Sequence, residues 1–271
     1  MNKIAEEKLD ALKKEISRYD KLVIAYSGGL DSALLLKVAH MVLGEKALAV
    51  ISGSPSIPRK ELDDAIEFAR ETGARLKVIS TGELDNDNYS QNPNDRCYFC
   101  KNELYLDIEK VAKEEGVRYI ANGTNLDDLG DYRPGLKAAA EHSVVSPLRD
   151  AKLTKDDIRL VARKLGLDIW DKPASPCLAS RIPYGSSITR EKLTQVEKAE
   201  DYVKSFGIRE LRVRHFGERA VLEVNPAYRD KAESNLDKIK QEFAKLGFSQ
   251  TEIKDFESGS LNKLIGINAK K

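Results

Sequence analysis

The 271-residue chain has three cysteines, one tryptophan and no long apolar run. It therefore lacks the many cysteines of disulfide-rich secreted proteins and the apolar spans of membrane proteins. In a cytosolic chain, three cysteines favour metal binding or catalysis over a disulfide framework. Lys37 and His40 interrupt the longest apolar stretch, and residues 1–7 lack the apolar core of a signal peptide. We therefore expect a cytoplasmic protein without a membrane partner.

The chain also lacks an excess of charge of either sign. Its 45 lysines and arginines are balanced by 44 aspartates and glutamates, which leaves a net charge of +1. This balance provides no bulk signal for a nucleic-acid partner. The apolar share of 41% is enough for a hydrophobic core, and the length fits one large or two modest domains.

Apolar strand patterns alternate with amphipathic helix patterns, which favours an α/β domain with a parallel sheet and helices on both faces. The predicted strands are 21–26, 46–51, 75–80 and 117–122, and the predicted helices are 3–19, 31–43, 58–72, 98–115 and 154–165. Ligands of such sheets bind at the carboxyl ends of the strands. The loops at that edge are 27–32, 52–58, 81–97 and 122–134.

Residues 171–188 contain three prolines and show no period, which is typical of an ordered linker or a functional loop. The segments that follow favour a smaller α+β domain. They are helix 190–206, strands 209–216 and 219–225, helix 227–246 and strand 248–256. We therefore expect an α/β domain at 1–172, a cysteine-bearing loop at 173–188 and an α+β domain at 189–271.

The segment Ser27-Gly28-Gly29-Leu30-Asp31-Ser32 comes directly after the apolar run 21–26 and before a helical pattern. Two glycines let the backbone approach a bound group closely, and the N–H groups at the helix start favour an anion. The segment therefore predicts a site for a phosphate chain. It is neither a Walker-type loop nor a Gly-x-Gly-x-x-Gly turn. The alternative is a simple turn in which Asp31 caps the helix.

A second polar loop, Asn122-Gly123-Thr124-Asn125-Leu126-Asp127-Asp128, follows the strand predicted at 117–122. Short polar residues at a strand end can read a nucleotide base or hold Mg²⁺. Asp127, Asp128 and Asp131 carry the oxygen ligands that Mg²⁺ prefers. The alternative is a loop whose aspartates cap the next helix.

Cys97 and Cys100 form a C-x₂-C pair, and Cys177 is the third cysteine. Such a pair can place two sulfurs on one metal or cluster. Structural zinc needs four protein ligands, whereas three thiolates leave one iron of a [4Fe–4S] cluster open. The alternatives at this point are a redox dithiol, a zinc site or unrelated core cysteines.

Arg212-Val213-Arg214 lies on a predicted strand, so both arginines are expected on one face. Two such guanidinium groups can grip a phosphate or a carboxylate. The alternative is a solvated sheet face with exposed ion pairs.

Taken together, the chain resembles the LarE family of the PP-loop ATP pyrophosphatase superfamily, whose domain has the adenine nucleotide alpha hydrolase-like fold. The resemblance rests on four stretches that span both predicted domains. They are residues 25–32, 122–135, 173–185 and 212–216.

The resemblance implies an ATP-dependent sulfur transferase of nickel-pincer nucleotide synthesis. ATP would adenylylate a carboxylate of pyridinium-3,5-biscarboxylic acid mononucleotide and release pyrophosphate, and sulfur would then displace AMP to leave a thiocarboxylate. The reaction would repeat at the second carboxylate, with Mg²⁺ bound at Asp31. The ATP and pyrophosphate contacts that the resemblance implies are Ser27, Gly28, Gly29, Asp31, Ser32, Ser52, Gly123, Thr124 and Asn125.

The sulfur source divides the family. One branch has only the cysteine that matches Cys177 and sacrifices its sulfur, whereas the other adds a pair like Cys97 and Cys100 and resembles a [4Fe–4S] enzyme. Since all three cysteines are present, the resemblance implies the cluster branch, with Cys177 and Asp31 as catalytic residues. It does not identify the sulfide donor.

In the second predicted domain, the resemblance implies that Arg212 and Arg214 hold the substrate phosphate, assisted by Arg181. Glu200 and Glu223 match acidic positions implicated in metal binding in the sacrificial branch. The family also implies a homo-oligomer. One alternative function is a PP-loop tRNA thiolase with a [4Fe–4S] cluster, although the balanced charge and the lack of further cysteines favour the small-molecule enzyme. The other alternative is a member of the LarE family that sacrifices the sulfur of Cys177.

Overall fold

The structure, a computed structural model, describes residues 2–130, 134–172, 175–257, 259–263 and 266. Asp131, a candidate magnesium ligand, and residues 173–174, the start of the predicted cysteine-bearing loop, lie outside the described residues. Within the described ranges, no helix is both long and apolar enough to cross a membrane.

The described residues form seven strands in two sheets, with helices between them. The strands are β1 Leu22–Ala25, β2 Ala47–Ser52, β3 Arg75–Ile79, β4 Tyr119–Ala121, β5 Leu211–Phe216, β6 Arg219–Val224 and β7 Gln250–Asp255. The helices are α1 Asn2–Ile16, α2 Leu30–Leu43, α3 Arg59–Thr72, α4 Asp87–Ser90, α5 Arg96–Glu114, α6 Pro134–Glu141, α7 Pro147–Asp150, α8 Lys155–Lys164, α9 Arg190–Lys204, α10 Arg229–Ser234, α11 Leu236–Lys245 and α12 Ser260–Lys263.

The first sheet has the order β3-β2-β1-β4, and all of its neighbouring strands are parallel. Side chains alternate between its faces, because successive residues of a strand point in opposite directions. Leu22 and Ile24 of β1 pack in one buried cluster, which includes residues of α1, α2 and α8. Val23 and Ala25 pack in another, which includes residues of α5 and α6. The predicted α/β class with a parallel sheet is confirmed.

The ends of helices that pack on the first sheet are set by capping residues in the local sequence. Thr154 accepts a hydrogen bond from the Asp157 N–H, and the Asp157 carboxylate accepts one from the Thr154 N–H, so a capping box starts α8. Gly73 ends α3 with a φ of 73°, a left-handed conformation that side chains disfavour. These signals explain why the helix positions could be predicted closely.

The second sheet is smaller and has the order β5-β6-β7. Strands β5 and β6 are antiparallel, whereas β6 and β7 are parallel. The helix predicted at 227–246 is divided at Asn235, whose side chain donates to the Lys231 carbonyl at 2.9 Å. Asparagine competes in this way with the helical backbone. The smaller sheet agrees with the predicted α+β domain.

The chain groups into two compact units. The first comprises Met1–Glu83 and Cys97–Ser175, and the second comprises Leu84–Arg96 and Pro176–Lys271. The segment Leu84–Arg96 therefore groups with the second unit although it lies within the predicted limits of the first domain. Long-range hydrogen bonds to residues 182–188 explain this grouping.

Candidate active site

The loop between β1 and α2 has the form expected of an anion site. Gly29 is the N-cap of α2, with φ −78° and ψ 158°, and no side chain caps the helix. The first N–H groups of a helix have no partner within the helix, so they remain for a ligand, and the helix dipole favours an anion there. Ser32 Oγ donates to the Gly29 carbonyl at 3.0 Å and lies 3.0 Å from Ser27 Oγ, which braces the loop.

Gly28 in this loop and Gly123 in the loop after β4 both stand where a side chain would clash with neighbouring atoms. Gly28 has a φ of +72°, and a Cβ on it would lie 2.6 Å from the Ala65 Cβ. A Cβ on Gly123, in the loop after β4, would lie 2.8 Å from the Ser32 nitrogen. The loop after β4 therefore packs against the backbone at the start of α2, at the point where the strand order of the sheet reverses. Nucleotides bind at such points in open α/β sheets.

A cavity of about 400 Å³ opens at this point. Residues 27–32, which we call the phosphate loop, line it together with the loop after β4, the N-terminal half of α5 and the first turn of α6. Its lining residues are Ala25, Ser27, Gly29, Asp31, Ser32, Cys97, Lys101, Tyr105, Asn122, Gly123, Thr124, Asp128, Pro134, Gly135 and Leu136. Lys101 and Tyr105, which the sequence did not single out, follow Cys97 at helical spacing on α5.

Asp31 lines the cavity and forms an ion pair with Lys155, whose Nζ lies 2.5 Å from Asp31 Oδ1. Both side chains are partly exposed, at 26% for Asp31 and 36% for Lys155. Lys155 is the first residue of α8, directly after the cap Thr154. The sequence indicated the cap but not the ion pair.

The loop after β4 is held by its own polar side chains. Asp127 Oδ2 accepts a hydrogen bond from the Lys155 N–H at 2.8 Å, and Asp128 Oδ2 accepts one from the Asn125 N–H at 3.0 Å. Asn122 Oδ1 accepts from the Thr124 N–H and from Ser146 Oγ. In the described part of the chain, no three carboxylate, imidazole or thiol groups gather closely enough to hold a metal ion. Asp31 and Asp128 line the cavity, whereas Asp127 does not.

Other residues expected to contact ATP lie outside the cavity lining. Ser52 is buried at the end of β2, where its Oγ lies 2.8 Å from Thr81 Oγ1 and accepts from the Ser54 N–H. Asn125 is 2% exposed and accepts from the Asp127 N–H. Gly28 also lies outside the lining and packs on α3 instead.

Cys97 and Cys100 lie near the start of α5, and none of the three cysteines is in a disulfide. Residues three apart in a helix share a face, so this spacing suits two ligands of one metal group. Cys97 also lines the cavity beside the phosphate loop. Cys177 lies in the second unit, at the N-cap of the 3-10 turn Leu178–Arg181.

Arg181 is 5% exposed and all of its nitrogens are engaged. Its Nε and Nη2 donate to the two carboxylate oxygens of Glu200, at 2.8 and 3.0 Å. Its Nη1 donates to the carbonyls of Pro176 and Cys177, at 2.7 and 3.2 Å. Arg181 therefore fixes the backbone at Cys177. Glu200 also accepts from the Val213 N–H at 3.1 Å.

Arg214 is 2% exposed, and it also donates hydrogen bonds to a glutamate and to a backbone carbonyl. Its Nε and Nη2 donate to Glu223 Oε2, at 2.9 and 2.7 Å, and its Nη1 donates to the Ser180 carbonyl at 2.8 Å. The other oxygen of Glu223 accepts from Ser260 Oγ. Arg214 thus anchors the turn that follows Cys177, and Glu200 and Glu223 each bind an arginine.

Arg212 differs from these two arginines. Its guanidinium lies 4.7 Å from the centre of the Phe256 ring, and no carboxylate of the described chain pairs with it. Burial, together with the nearby charges of Arg181 and Arg214, lowers the pKa of Arg212 to about 10. A partly buried cation without a counter-ion is a ready site for an anion.

Comparison with known proteins finds relatives that cover most of the chain. The family model described as NAD synthase matches residues 4–102. An uncharacterized protein of Synechocystis sp. is 41% identical over 264 residues, which cover 96% of this chain and 98% of that protein. The GMP synthase [glutamine-hydrolyzing] of Aeropyrum pernix is 28% identical over 220 residues, which cover 74% of this chain and 42% of that protein.

A further relative is the pyridinium-3,5-bisthiocarboxylic acid mononucleotide synthase of Lactiplantibacillus plantarum. It is 34% identical over 257 residues, which cover 94% of this chain and 92% of that protein. Since this match spans both units, the chain belongs to the LarE family, the ATP-dependent sulfur transferases of the PP-loop superfamily.

Proposed function

We propose that the protein adenylylates the carboxylates of pyridinium-3,5-biscarboxylic acid mononucleotide and converts them to thiocarboxylates for nickel-pincer nucleotide synthesis. One observation carries the proposal: a single cavity is lined both by the phosphate loop, with Ser27 and Asp31, and by the thiol-bearing Cys97. The product named for the Lactiplantibacillus plantarum relative supports the choice of substrate.

The chemistry requires activation because a carboxylate is a poor acyl donor. A substrate carboxylate oxygen attacks the α-phosphorus of ATP, and pyrophosphate leaves. A sulfur nucleophile then attacks the acyl carbon, and AMP departs with the original carboxylate oxygen. The N–H groups at the start of α2 and the ammonium of Lys155 stabilise the charge on the pyrophosphate. Bound Mg²⁺ would supply further charge neutralisation, with Asp31 and Asp128 as the ligands that line the cavity.

We further propose that Cys97, Cys100 and Cys177 hold a [4Fe–4S] cluster. Two of these thiols share a helix face, which supports the pair as ligands. When bound, such a cluster would supply the sulfur nucleophile. Protein purified without oxygen is expected to contain about four irons per chain, with matching acid-labile sulfide. An iron-free chain that loses the mass of H₂S at Cys177 during turnover would instead establish sacrifice of that side chain.

In the second unit, we assign the substrate phosphate to Arg212. Arg181 and Arg214 support the site by holding the backbone near Cys177, since their donors are already used. A metal role for Glu200 or Glu223 would require each to release its arginine. A homo-oligomer, a cytoplasmic location and the domain limits 1–172, 173–188 and 189–271 remain predictions.

The test is exchange of radioactive pyrophosphate into ATP, measured with and without the biscarboxylate mononucleotide. We expect exchange only when the mononucleotide is present. Exchange that requires tRNA instead would favour the thiolase alternative, and no exchange with either substrate would reject adenylyl transfer.

A further inference from the structure

Helix α5 supplies two polar side chains to the wall of the nucleotide cavity. Lys101 and Tyr105 both line the cavity, and they lie one helical turn apart on the same face of α5. The pyrophosphate of ATP already has partners in the N–H groups at the start of α2 and in the ammonium of Lys155. The α-phosphate, which is the group that moves to the substrate, has no partner among these groups.

Lys101 carries an ammonium group without a protein partner. The side chain is half-buried, and no residue in the described part of the chain forms a hydrogen bond or an ion pair with its Nζ. Its stem packs on the start of α6, because a Cβ on Gly135 would lie 3.0 Å from Lys101 Cγ. Among the described lining residues Lys101 is the one cation, beside the carboxylates of Asp31 and Asp128. The stem is thus covered by protein, whereas the charged end remains available to the cavity.

Tyr105 is 2% exposed, and its hydroxyl keeps a proton to donate. Asn122 Oδ1 accepts from the Thr124 N–H at 3.1 Å and from Ser146 Oγ at 2.9 Å. These two bonds fix the orientation of the amide, so Asn122 Nδ2 donates to the Tyr105 oxygen at 3.4 Å. Since the hydroxyl oxygen is the acceptor of this bond, its proton has no acceptor within the described ranges and can bind a ligand.

The packing of α5 does not account for these two polar groups. The Tyr105 ring belongs to a buried cluster that also contains Ile108 of α5 and Val23 of β1. A phenylalanine would fill the space of this ring, and a methionine would replace the stem of Lys101. Polar groups at such a place normally have a hydrogen-bond partner. Two donors without one, in the wall of a cavity, point to a ligand that accepts hydrogen bonds.

We propose that Lys101 and Tyr105 bind the α-phosphate of ATP and AMP and act as catalytic residues in adenylyl transfer. This inference deepens the proposed function and rests on it. The start of α2 holds the pyrophosphate, and the α-phosphate joins the pyrophosphate to the acyl group that sulfur attacks. Cys97, the thiol that lines the cavity, lies one turn before Lys101 on the same face of α5. A phosphate between the phosphate loop and this thiol therefore lies along the wall that α5 forms.

The two residues would act on charge and would transfer no proton. A bond forms between the substrate carboxylate oxygen and the α-phosphorus, while the bond from that phosphorus to the bridging oxygen breaks. Pyrophosphate leaves with the electron pair of the broken bond. The ammonium of Lys101 and the O–H of Tyr105 stabilise the charge on the equatorial oxygens of the α-phosphorus. When sulfur later attacks the acyl carbon, the same two groups stabilise the charge on the departing AMP.

The experiment is isothermal titration of the full-length chain with AMP, adenosine and pyrophosphate. Adenosine lacks the α-phosphate, so the ratio of the adenosine Kd to the AMP Kd reports the contacts to that phosphate. Lys101→Met and Tyr105→Phe remove the donors and preserve the size of the side chains. The matched controls on α5 are Lys113→Met, at an exposed lysine, and Tyr98→Phe, which removes a hydroxyl that donates to Glu141.

We expect the wild-type chain to bind AMP more tightly than adenosine. Lys101→Met should raise the Kd for AMP about 10- to 100-fold and Tyr105→Phe about tenfold, as for lost bonds to a charged group. Both variants should leave the Kd for adenosine and the Kd for pyrophosphate unchanged, and both controls should match the wild type. Thermal unfolding identifies a variant that fails to fold, and Lys101→Gln then takes its place.

The proposal is overturned if a variant weakens AMP and adenosine equally, if either variant leaves the Kd for AMP unchanged, or if pyrophosphate is weakened as much as AMP. Binding of AMP requires neither the mononucleotide nor sulfur. Unchanged AMP binding together with normal pyrophosphate exchange would therefore reject only the α-phosphate contact. The expected loss of AMP binding in a protein that shows no exchange would reject only the proposed function.

Discussion

Lys155 Nζ lies 2.5 Å from Asp31 Oδ1, so the carboxylate expected to bind Mg²⁺ is held by a lysine. The two residues are 124 positions apart in the chain. A divalent cation and an ammonium group that bind the same carboxylate oxygen weaken each other's interaction with it. We therefore expect Mg²⁺ that enters with ATP to compete with Lys155 for Asp31, which would leave the ammonium group available for the phosphates.

Replacement of Lys155 should change the magnesium requirement. A partly exposed ion pair contributes up to about 1 kcal/mol, so Lys155→Met should lower the Mg²⁺ concentration for half-maximal pyrophosphate exchange by up to about fivefold. The KM for ATP should rise, because the phosphates lose a cation. Lys60→Met, which removes an exposed lysine on α3, is the control. An unchanged magnesium dependence would show that Lys155 does not compete at Asp31.

Asp31→Asn preserves the size of the side chain and removes its charge. We expect loss of pyrophosphate exchange with little change in thermal stability, because the lost ion pair is partly exposed. The measurement is exchange activity beside a thermal unfolding curve. Normal exchange in this variant would remove Asp31 from the magnesium site.

Two glycines of the nucleotide site should respond differently to alanine. A Cβ on Gly123 meets the backbone of Ser32 at 2.8 Å, so Gly123→Ala should destabilise the protein by about 1–3 kcal/mol and impair ATP binding. A Cβ on Gly29 has its nearest neighbour, Ser27 Oγ, at 3.4 Å. Gly29→Ala should therefore cost about 1 kcal/mol or less while raising the KM for ATP. Denaturant unfolding and ATP titration separate the two effects, and equal stability losses would contradict the close packing at Gly123.

Replacement of Arg212 and replacement of Arg214 should have different effects on stability and on substrate binding. Arg214→Met leaves Glu223 buried without its partner, so it should lower the free energy of unfolding by about 3–5 kcal/mol. Arg212→Met removes a desolvated cation that two other arginines repel, so stability should hold or increase. Its KM for the mononucleotide should rise about 10- to 100-fold, as expected for a lost bond to a charged group. The assignment fails if Arg212→Met leaves that KM unchanged.

His215 should make stability depend on pH. Burial lowers the pKa of His215 from its ordinary value of 6.5, and its Nε2 lies 2.9 Å from Gln195 Oε1. The unfolded chain therefore takes up this proton at a higher pH than the folded chain. Stability is unaffected above pH 6.5 and falls as the pH decreases below that value.

The measurement is the midpoint of urea unfolding between about pH 5 and 7, above the range in which most carboxylates titrate. His215→Asn should flatten the dependence in this interval. A wild-type midpoint that rises on acidification would contradict a lowered pKa for His215.

The parts of the fold and site that could be predicted from sequence are those that depend on neighbouring residues. The phosphate loop is a local strand–glycine–helix pattern, and Thr154 and Asp157 form a local cap. The partner of Asp31 could not be predicted in this way, since Lys155 approaches through the fold. Likewise, Asn92 reaches Ile182 across 90 residues, and no periodicity marks such a contact.

The two arginines of β5 illustrate the same limit. Their spacing places them on one face of a strand. Spacing alone therefore predicts the same role for both arginines. Glu223 lies opposite Arg212 in the β-ladder, but it accepts two hydrogen bonds from Arg214. Sequence spacing determines the face of a strand, whereas the choice of partner depends on side chains from other elements, such as Ser260 and Phe256.

The most direct measurement of the central claim is the fate of oxygen-18 placed in the carboxylates of the mononucleotide. If the phosphate loop promotes adenylyl transfer, one labelled oxygen should appear in AMP for each thiocarboxylate formed, and Asp31→Asn should abolish the transfer. Thiocarboxylate formed with unlabelled AMP would contradict activation of the carboxylate by ATP.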